Sequence, residues 1–519
     1  MLVYDSVDRV DAEPVNSARQ RGPLYAARKK IHPKRAEGQF RRLKWIIMAV
    51  TLSIYYFAPW IRWDRGPYAP DQAILVDLAN RRFYFFFIEI WPKEFYYVAG
   101  LLIMAGLGLF LITSVVGRAW CGYTCPQTVW VDLFLVVERF IEGDRNKRIA
   151  LDKAPMSLDK AGKRLAKHAI WLVIAVLTGG AWIFYFADAP TLLVDVVTLQ
   201  AAPVAYMTVG ILTATTYVFG GFMREQVCTY MCPWPRIQAA MLDENSLTVT
   251  YNDWRGEPRS RHQKKATAAG LPVGDCVDCN ACVVVCPMGI DIREGQQMEC
   301  ITCALCIDAC DSVMDKTGRE RGLISYATLS DYNANMALAS DETGTIRPSQ
   351  VRDAQTGRLK PNFVAFRWRE MVRPRTLIYF GLWALVGIAM LISLATRERL
   401  EASVQHDRNP VYVRLSDGSI RNGYTVRISN MLTEPRVFRV SVQGLPQAEM
   451  TIPNRRIEAD GAALIEVPAD RVQTLRVLVS QPMAAIAGER QDFRIDVADT
   501  AGSDATSVGA AFDAPAKTR

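Results

Sequence analysis

Cysteine is absent before Cys121 and after Cys310, so all twelve fall in one central stretch. The carboxyl-terminal region therefore cannot hold a disulfide or a thiol-based site. Histidine is scarce: His32, His168, His262 and His406 stand alone, and no two are placed to hold a haem between helices. We read all four as structural or surface residues. No glycine-rich dinucleotide or flavin fingerprint is present, which excludes a bound nicotinamide read from motif. Residues 1–44 contain no apolar run, so a cleavable signal peptide is not expected. The net charge of +8 comes without an aromatic–basic motif, and no nucleic-acid partner is expected.

Half of the residues are hydrophobic, gathered in long runs between charged segments. That pattern predicts a polytopic α-helical membrane protein of about five spans. The expected spans are 45–61, 97–117, 168–187, 202–223 and 376–396. Residues 1–44, with eleven Lys/Arg against five Asp/Glu, read as a mostly flexible basic arm. Its end, KKIHPKRAEGQFRRLKW, is placed at the lipid surface. The segment FYFFFIEIW (Phe83–Trp91) is too short to cross and reads as an interfacial aromatic stretch. Segment 118–167 holds ten basic and six acidic residues, whereas 188–201 has no Lys or Arg. The positive-inside rule then puts the amino end and 118–167 in the cytoplasm. Five crossings leave the carboxyl end outside, which in a bacterium is the periplasm. The expected domains are the arm at 1–44, four spans in 45–224, a cytoplasmic region at 225–374, a fifth span at 375–397 and an all-β domain at 405–515.

Asp275 to Asp311 reads DCVDCNACVVVCPMGIDIREGQQMECITCALCIDACD. Cys276, Cys279, Cys282 and Cys286 form C-x2-C-x2-C-x3-C, and Cys300, Cys303, Cys306 and Cys310 repeat it. This spacing ligates cubane clusters in two-cluster ferredoxins, where the fourth thiolate of each cube comes from the other motif. We therefore expect two [4Fe-4S] clusters. One is held by Cys276, Cys279, Cys282 and Cys310, the other by Cys300, Cys303, Cys306 and Cys286. Zinc is disfavoured because its sites pair two C-x2-C units over a longer gap. Disulfides are disfavoured by a cytoplasmic location. Asp311, not proline, follows Cys310.

A second pattern is C-x-Y-x-C-P, at Cys121–Pro126 and again at Cys228–Pro233. Each follows a span and precedes an apolar–polar stretch, QTVWVDLFLVVERF or PRIQAAMLDE, which suggests an internal repeat. A proline just after the second cysteine suits the first turn of a helix. Two such pairs brought together offer up to four soft sulfur ligands for Cu(I), zinc or iron–sulfur, or a dithiol–disulfide couple. The plain alternative is buried, inert cysteine at a membrane boundary. The doubling of the pair favours a redox or metal role for Cys121, Cys125, Cys228 and Cys232.

From about Pro410 the runs VYVRL, YTVRIS, VFRVSV, AALIEV, LRVLV and DFRIDV alternate apolar with polar residues, punctuated by turn pairs such as Asp417-Gly418. This predicts an antiparallel immunoglobulin-like sandwich. It carries no catalytic constellation and reads as a docking or structural module.

Taken together, KRAEGQFRRLKW, AWCGYTCPQTVW, VCTYMCPWPRIQAAMLDE, the double cysteine motif and VMDKTGRERGLISY resemble the cytochrome c oxidase accessory protein family of FixG, RdxA and CcoG proteins. The resemblance spans nearly the whole chain. It implies an inner-membrane protein that reduces Cu(II) to Cu(I) for assembly of cbb-type oxidase. It also implies copper handling at Cys121, Cys125, Cys228 and Cys232, and oxidase assembly factors or copper-delivery proteins as partners. The electron donor would be a protein or quinol, and homo-oligomers are allowed. Two other readings stay open: a quinol-linked electron-transfer protein, with quinone near Trp120 and Trp130, and a non-enzymatic assembly scaffold.

Overall fold

The structure, a computed structural model, describes residues 10, 12–15, 29–341, 346–353, 358–363, 367–432, 434–502 and 504–515. Most of the amino-terminal arm lies outside them. The chain divides into two compact units, Met1–Ile61 with Ala73–Ala389, and Arg62–Gln72 with Met390–Arg519.

The first unit carries the long apolar helices. Five segments are long and apolar enough to cross a membrane: Gln39–Trp60, Pro92–Val116, Leu158–Ile183, Pro203–Met223 and Pro374–Ala395. They match the five expected runs, although the third starts ten residues earlier, because a basic amphipathic stretch continues the same helix. Within them lie helices α1 (Gln39–Phe57) and α2 (Tyr96–Val116). The short α3 (Ala119–Tyr123) follows α2, then the longer α4 (Pro126–Glu142) and α5 (Arg145–Lys153). The remaining helices of this half are α6 (Leu158–Ile183), α7 (Ala189–Val197), α8 (Pro203–Thr216) and α9 (Trp234–Met241). Phe134 of α4 stacks on Trp171 of α6 at 5.2 Å, and Gly221 lets the chain after α8 pass against that indole.

Two expectations for this unit need correction. FYFFFIEIW is not a bare interfacial segment; it supplies strands β2 (Arg82–Phe85) and β3 (Ile88–Ile90) of an antiparallel sheet with β1 (Ile74–Asp77). Its alternating aromatics fit a pleated surface. The stretch expected at the lipid surface instead bonds to the cysteine-rich lobe. Lys34 N–H donates to Val284 O at 2.8 Å, and the carboxylate of Asp308 accepts the N–H groups of Phe40 (3.1 Å) and Arg41 (2.7 Å). Asp308 thus caps α1 from a distant part of the chain, at the positive end of the helix dipole. Gly38 is required there, since a Cβ would meet Asp308 side-chain atoms at 2.3 Å. Val10, within the arm, is also bonded to the lobe: its N–H donates to Cys279 O at 3.2 Å, and Asn280 Nδ2 donates to Val10 O at 3.1 Å.

The cysteine-rich lobe is closed by β4 (Thr248–Tyr251) pairing antiparallel with β5 (Ile324–Ala327). Between them lie helices Ala281–Val285 and Leu305–Thr317, each carrying the third cysteine of a triplet, Cys282 and Cys306, in its first turn. Asp275, next to Cys276, is buried and receives three guanidinium groups: Arg255 at 2.5 Å, Arg319 at 3.0 Å and Arg352 at 2.6 Å.

The second unit is a two-sheet sandwich. One sheet has the order β10 (Glu449–Thr451), β12 (Arg471–Gln481), β8 (Ile420–Asn430) and β6 (Leu400–His406), with β7 (Val413–Arg414) also on β8. The other runs β11 (Ala463–Val467), β9 (Arg436–Gln443), β13 (Arg490–Asp499) and β14 (Ala505–Asp513). Inward residues alternate with outward ones, and Tyr424, Phe438 and Phe512 fill the core. VYVRL is the weak member of the expected strands: only Val413–Arg414 pair, and both are exposed.

Candidate metal centres

The two cysteine triplets have the same backbone. Asp278 and Asn280 in the first, and Thr302 and Ala304 in the second, all adopt positive φ (49°, 59°, 51° and 60°). These are the equivalent positions between successive cysteines. A left-handed residue that is not glycine costs on the order of 1–3 kcal/mol, so four at matched offsets mark an imposed shape. Such turns aim successive N–H groups into a concavity that suits an anion. Thr302 N–H donates to Cys300 Sγ at 3.4 Å.

Two cavities lie inside these turns. One is lined by Cys276, Cys279, Cys282 and Cys310, with Tyr251, Arg293, Met314 and Ile324 among its walls. The other is lined by Cys286, Cys300, Cys303 and Cys306 and also by Cys282, with Val249, Met288 and Ile301 among its walls. Each thus gathers three cysteines of one motif and the last cysteine of the other. Among the described residues no three His, Cys, Asp or Glu converge on a single-ion position. Sulfurs spread around a cavity fit a cube, whose thiolates stand farther apart than the ligands of one ion. Burial pushes Cys286 up to about 12, while the N–H groups of Ile290 and Met288 pull it back. Burial likewise takes Cys300 up to about 11, opposed by Thr302 N–H. Thiols so buried give up their protons only to a cation brought among them. The residues present therefore fit [4Fe-4S] groups.

The walls differ. The first cavity has a buried cation, Arg293, whose guanidinium bonds to Asp291 (2.7 Å), Asp278 (2.9 Å) and Asn280 Oδ1 (2.8 Å). The second has apolar walls shared with one further cluster of side chains, which includes Cys121, Cys228, Trp120 and Trp234.

That shared core brings in the C-x-Y-x-C-P pairs. Both close with the same bond: Cys125 N–H donates to Trp120 O at 2.9 Å, and Cys232 N–H to Val227 O at 2.8 Å. Each runs from residue i to i−5, a π-type turn of the kind found at functional sites. Pro126 then opens α4, with Cys125 as its cap residue. Burial raises Cys121 to about 11, opposed by Arg118, with Cys125 and Cys232 close enough to add to it. Cys228 is raised to about 12, by burial first and then by Cys125, Cys121 and Cys232. Cys121 and Cys228 share one cluster of side chains, and among the described residues no three of the cysteines converge on one ion position.

The two pairs are not equivalent. Tyr123 is buried, and its hydroxyl lies 3.4 Å from that of Tyr326, which donates to Thr302 O at 2.8 Å. Tyr230, at the matching offset, is 74% exposed. Cys121 Sγ donates to Gln238 Oε1 at 3.1 Å. Gln238 Nε2 donates to Thr113 Oγ1 at 3.1 Å, and that hydroxyl donates to Leu109 O at 2.7 Å. The chain of donors leaves Gln238 presenting an acceptor to the thiol. Gly122 sits directly on the second triplet: a Cβ there would stand 2.7 Å from Ile301 O and 3.0 Å from Cys303 N and Cα.

Sequence reasoning missed Gln238, Gly122 and Arg293, although PRIQAAMLDE stands out as part of a repeat. It also missed a buried ion network behind α4. Glu138 there meets Arg224 at 2.6 Å, Arg148 at 2.8 Å and Lys167 at 3.8 Å. Trp130, one of the two residues suggested to flank a quinone, donates its Nε1 to Thr178 Oγ1 at 2.9 Å and packs edge-on against Tyr55. His168 bonds the Tyr217 hydroxyl at 3.0 Å and stacks on Phe222, a packing role.

Apolar helices, a lobe with two cysteine-lined cavities and an immunoglobulin-like domain define a membrane iron–sulfur protein with an electron-transfer role. Comparisons with known proteins agree. A 4Fe-4S dicluster domain matches residues 223–329, a 4Fe-4S binding domain matches 98–142, and the immunoglobulin-like fold at the carboxyl terminus of FixG matches 390–515. The nitrogen fixation protein FixG of Rhizobium meliloti is 65% identical over 511 residues, covering 98% of this chain and 97% of its own. RdxB and RdxA of Cereibacter sphaeroides are 55% and 52% identical, over 93% and 94% of this chain and 95% and 97% of theirs. A solved FixG-related protein from Vibrio parahaemolyticus matches 22% of this chain and 97% of its own, at 17% identity and a TM-score of 0.20, too slight a likeness to argue from. The chain belongs to the FixG/RdxA family.

Proposed function

We propose that this protein is an inner-membrane cupric reductase that supplies Cu(I) for assembly of a cbb-type oxidase. Its amino end and clusters face the cytoplasm, and its carboxyl domain faces the periplasm. The observation that supports it is the seating of Cys121–Tyr123 on the backbone of Ile301–Cys303, beside thiols that favour the reduced ion. In this reading Cys276, Cys279, Cys282 and Cys310 hold one [4Fe-4S] cluster, and Cys286, Cys300, Cys303 and Cys306 hold the other. Bound there, the clusters supply single electrons, which matches the one-electron reduction of copper.

The protein's own side chains do the rest. Gln238 fixes the Cys121 thiol with its proton in place, so the sulfur is aimed but not ionised. Each thiol that captures Cu(I) releases one proton. The apolar packing around Cys121, Cys303 and Leu305 keeps water out of the space between thiols and cluster ligands. Cys121 and Cys228 belong to one cluster of side chains, so each pair brings a soft sulfur ligand to the same region for the product.

The test is anaerobic. Dithionite-reduced protein, freed of reductant, is titrated with Cu(II) while cluster absorbance and a Cu(I)-specific chelator are read. One Cu(I) formed per electron lost is expected. Cys121→Ser and Cys228→Ser should keep the clusters and lose most of the Cu(I) yield. Unchanged yield would remove the thiols from the reaction.

A further inference from the structure

A further cavity of the first unit lies against the second cluster site, not inside it. It shares Met288, Ile301 and Leu305 with that site and has the Cys228 thiol in its wall. Much of the rest of its lining is charged. Arg41, Lys44, Arg139 and Arg224 line it, against two carboxylates, Asp132 and Glu225. Asp132 is already engaged by Arg41 at 2.8 Å and Lys44 at 3.8 Å. Two guanidinium nitrogens, Arg41 Nη2 and Arg139 Nε, are buried without a hydrogen-bond partner, and Arg41 is only 6% exposed. Arg139 is pushed down to about 10, by burial first and then by Arg41 and Arg148, against Asp132 and Asp144, which raise it. Just behind the lining, Glu138 meets Arg224 at 2.6 Å and Asp144 stands 4.0 Å from Arg139, yet the lining itself has four cations to two carboxylates and two unmet N–H donors, which disfavours a bare metal cation. The cavity accepts a group that brings negative charge and acceptor oxygens or sulfurs.

We infer that this cavity receives copper as an anionic chelate, a Cu(II) ion wrapped in carboxylate or thiolate ligands, and holds it beside Cys228. The cations bind the ligand shell, and the thiol faces the metal. The proposal rests on the copper reading above and names the form in which that substrate arrives. It also accounts for a membrane-edge site meant for a metal being lined by arginine and lysine.

The test uses the oxidised, detergent-solubilised full chain with its clusters, so that binding is read without turnover. Cu(II) EPR and equilibrium dialysis follow three probes: the singly negative nitrilotriacetate complex, the neutral bis-glycinate complex and the doubly positive bis-bipyridine complex. The expected order is negative over neutral over positive, with about tenfold or more between the extremes. Arg139→Gln should weaken the negative complex about tenfold and leave the positive one unchanged or tighter, and Arg139→Lys should restore part of the loss. Cys228→Ser should change the copper EPR spectrum of the bound complex. Equal affinity for the three complexes in the unaltered protein would overturn the inference, even if Arg139→Gln did not fold. So would metal-free nitrilotriacetate binding as tightly as its copper complex. Failure of the reduced protein to make Cu(I) would instead sink the reductase reading, and that is measured separately.

Discussion

Gly122 and Cys303 touch through their backbones, and a Cβ on Gly122 would lie 3.0 Å from Cys303 N and Cα. The neighbour on the other side is a carbonyl, Ile301 O, which cannot yield as a flexible side chain can. Gly122→Ala must therefore part the thiol motif from the second triplet, at a cost of about 1–3 kcal/mol. We expect both clusters to be retained by EPR, a lower unfolding midpoint and slower oxidation of the reduced protein by Cu(II). Oxidation by a small soluble dye should keep its rate. Equal loss with both oxidants would mean general damage, not a parted contact.

Crossed ligation makes a sharp prediction about single cysteines. Cys310→Ser should empty the cavity of the first triplet, and Cys286→Ser that of the second. Each variant should lose about half of the roughly eight irons of a two-cluster protein. Reduced EPR should show the spin–spin broadening of neighbouring clusters disappear in both. If Cys310→Ser perturbed the second triplet's cluster instead, each motif would be holding its own cube.

Glu138 anchors the ion network behind α4. Burial alone would raise its carboxyl, but Arg224, Arg148 and Lys167 overcome that and bring it down to about 2. A depressed acid stabilises the fold fully above its ordinary value of about 4.3, and the contribution fades as pH falls through the folded value. Stability should therefore decline between about pH 4.3 and about 2. Glu138→Gln should flatten that decline. At neutral pH it should cost about 3–5 kcal/mol, because buried Arg224 and Arg148 lose their carboxylate partner, while Lys167 keeps Glu142 at 2.9 Å. Denaturant midpoints across the pH range check both.

Asp308 caps α1 although 267 residues separate it from Arg41. Asp308→Ala should cost about 1–2 kcal/mol and expose the backbone amides of Phe40 and Arg41 to hydrogen exchange. The iron content should not change. Protection of both amides in the variant would show that water or another group had replaced the cap.

The orientation is open to a fusion test. Alkaline phosphatase joined after Pro515 should be active, and joined after Thr328 inactive. Activity at Thr328 would put the cysteine-rich lobe on the outer side and end the cytoplasmic reading.

Some of this protein is determined by the order of its residues alone. Helix in lipid follows from unbroken apolar runs, since no water is there to satisfy a bare backbone. The cysteine spacing specifies cubes because three thiols two residues apart can wrap one corner and no more. Alternation from Tyr424 to Ser429 specifies a half-buried strand. What only the tertiary structure decided are contacts between residues far apart in the chain. Asp308 and Gly38, Gly122 and Cys303, and Gln238 and Cys121 have no local signature; each is an ordinary residue until folding brings its partner. FYFFFIEIW shows the same limit: a short apolar run suits an interface or a strand equally, and pairing with Ile74–Asp77 settled it. The side on which the thiol pairs meet the clusters was likewise set by packing, because sulfur and apolar side chains bury together wherever the helices let them.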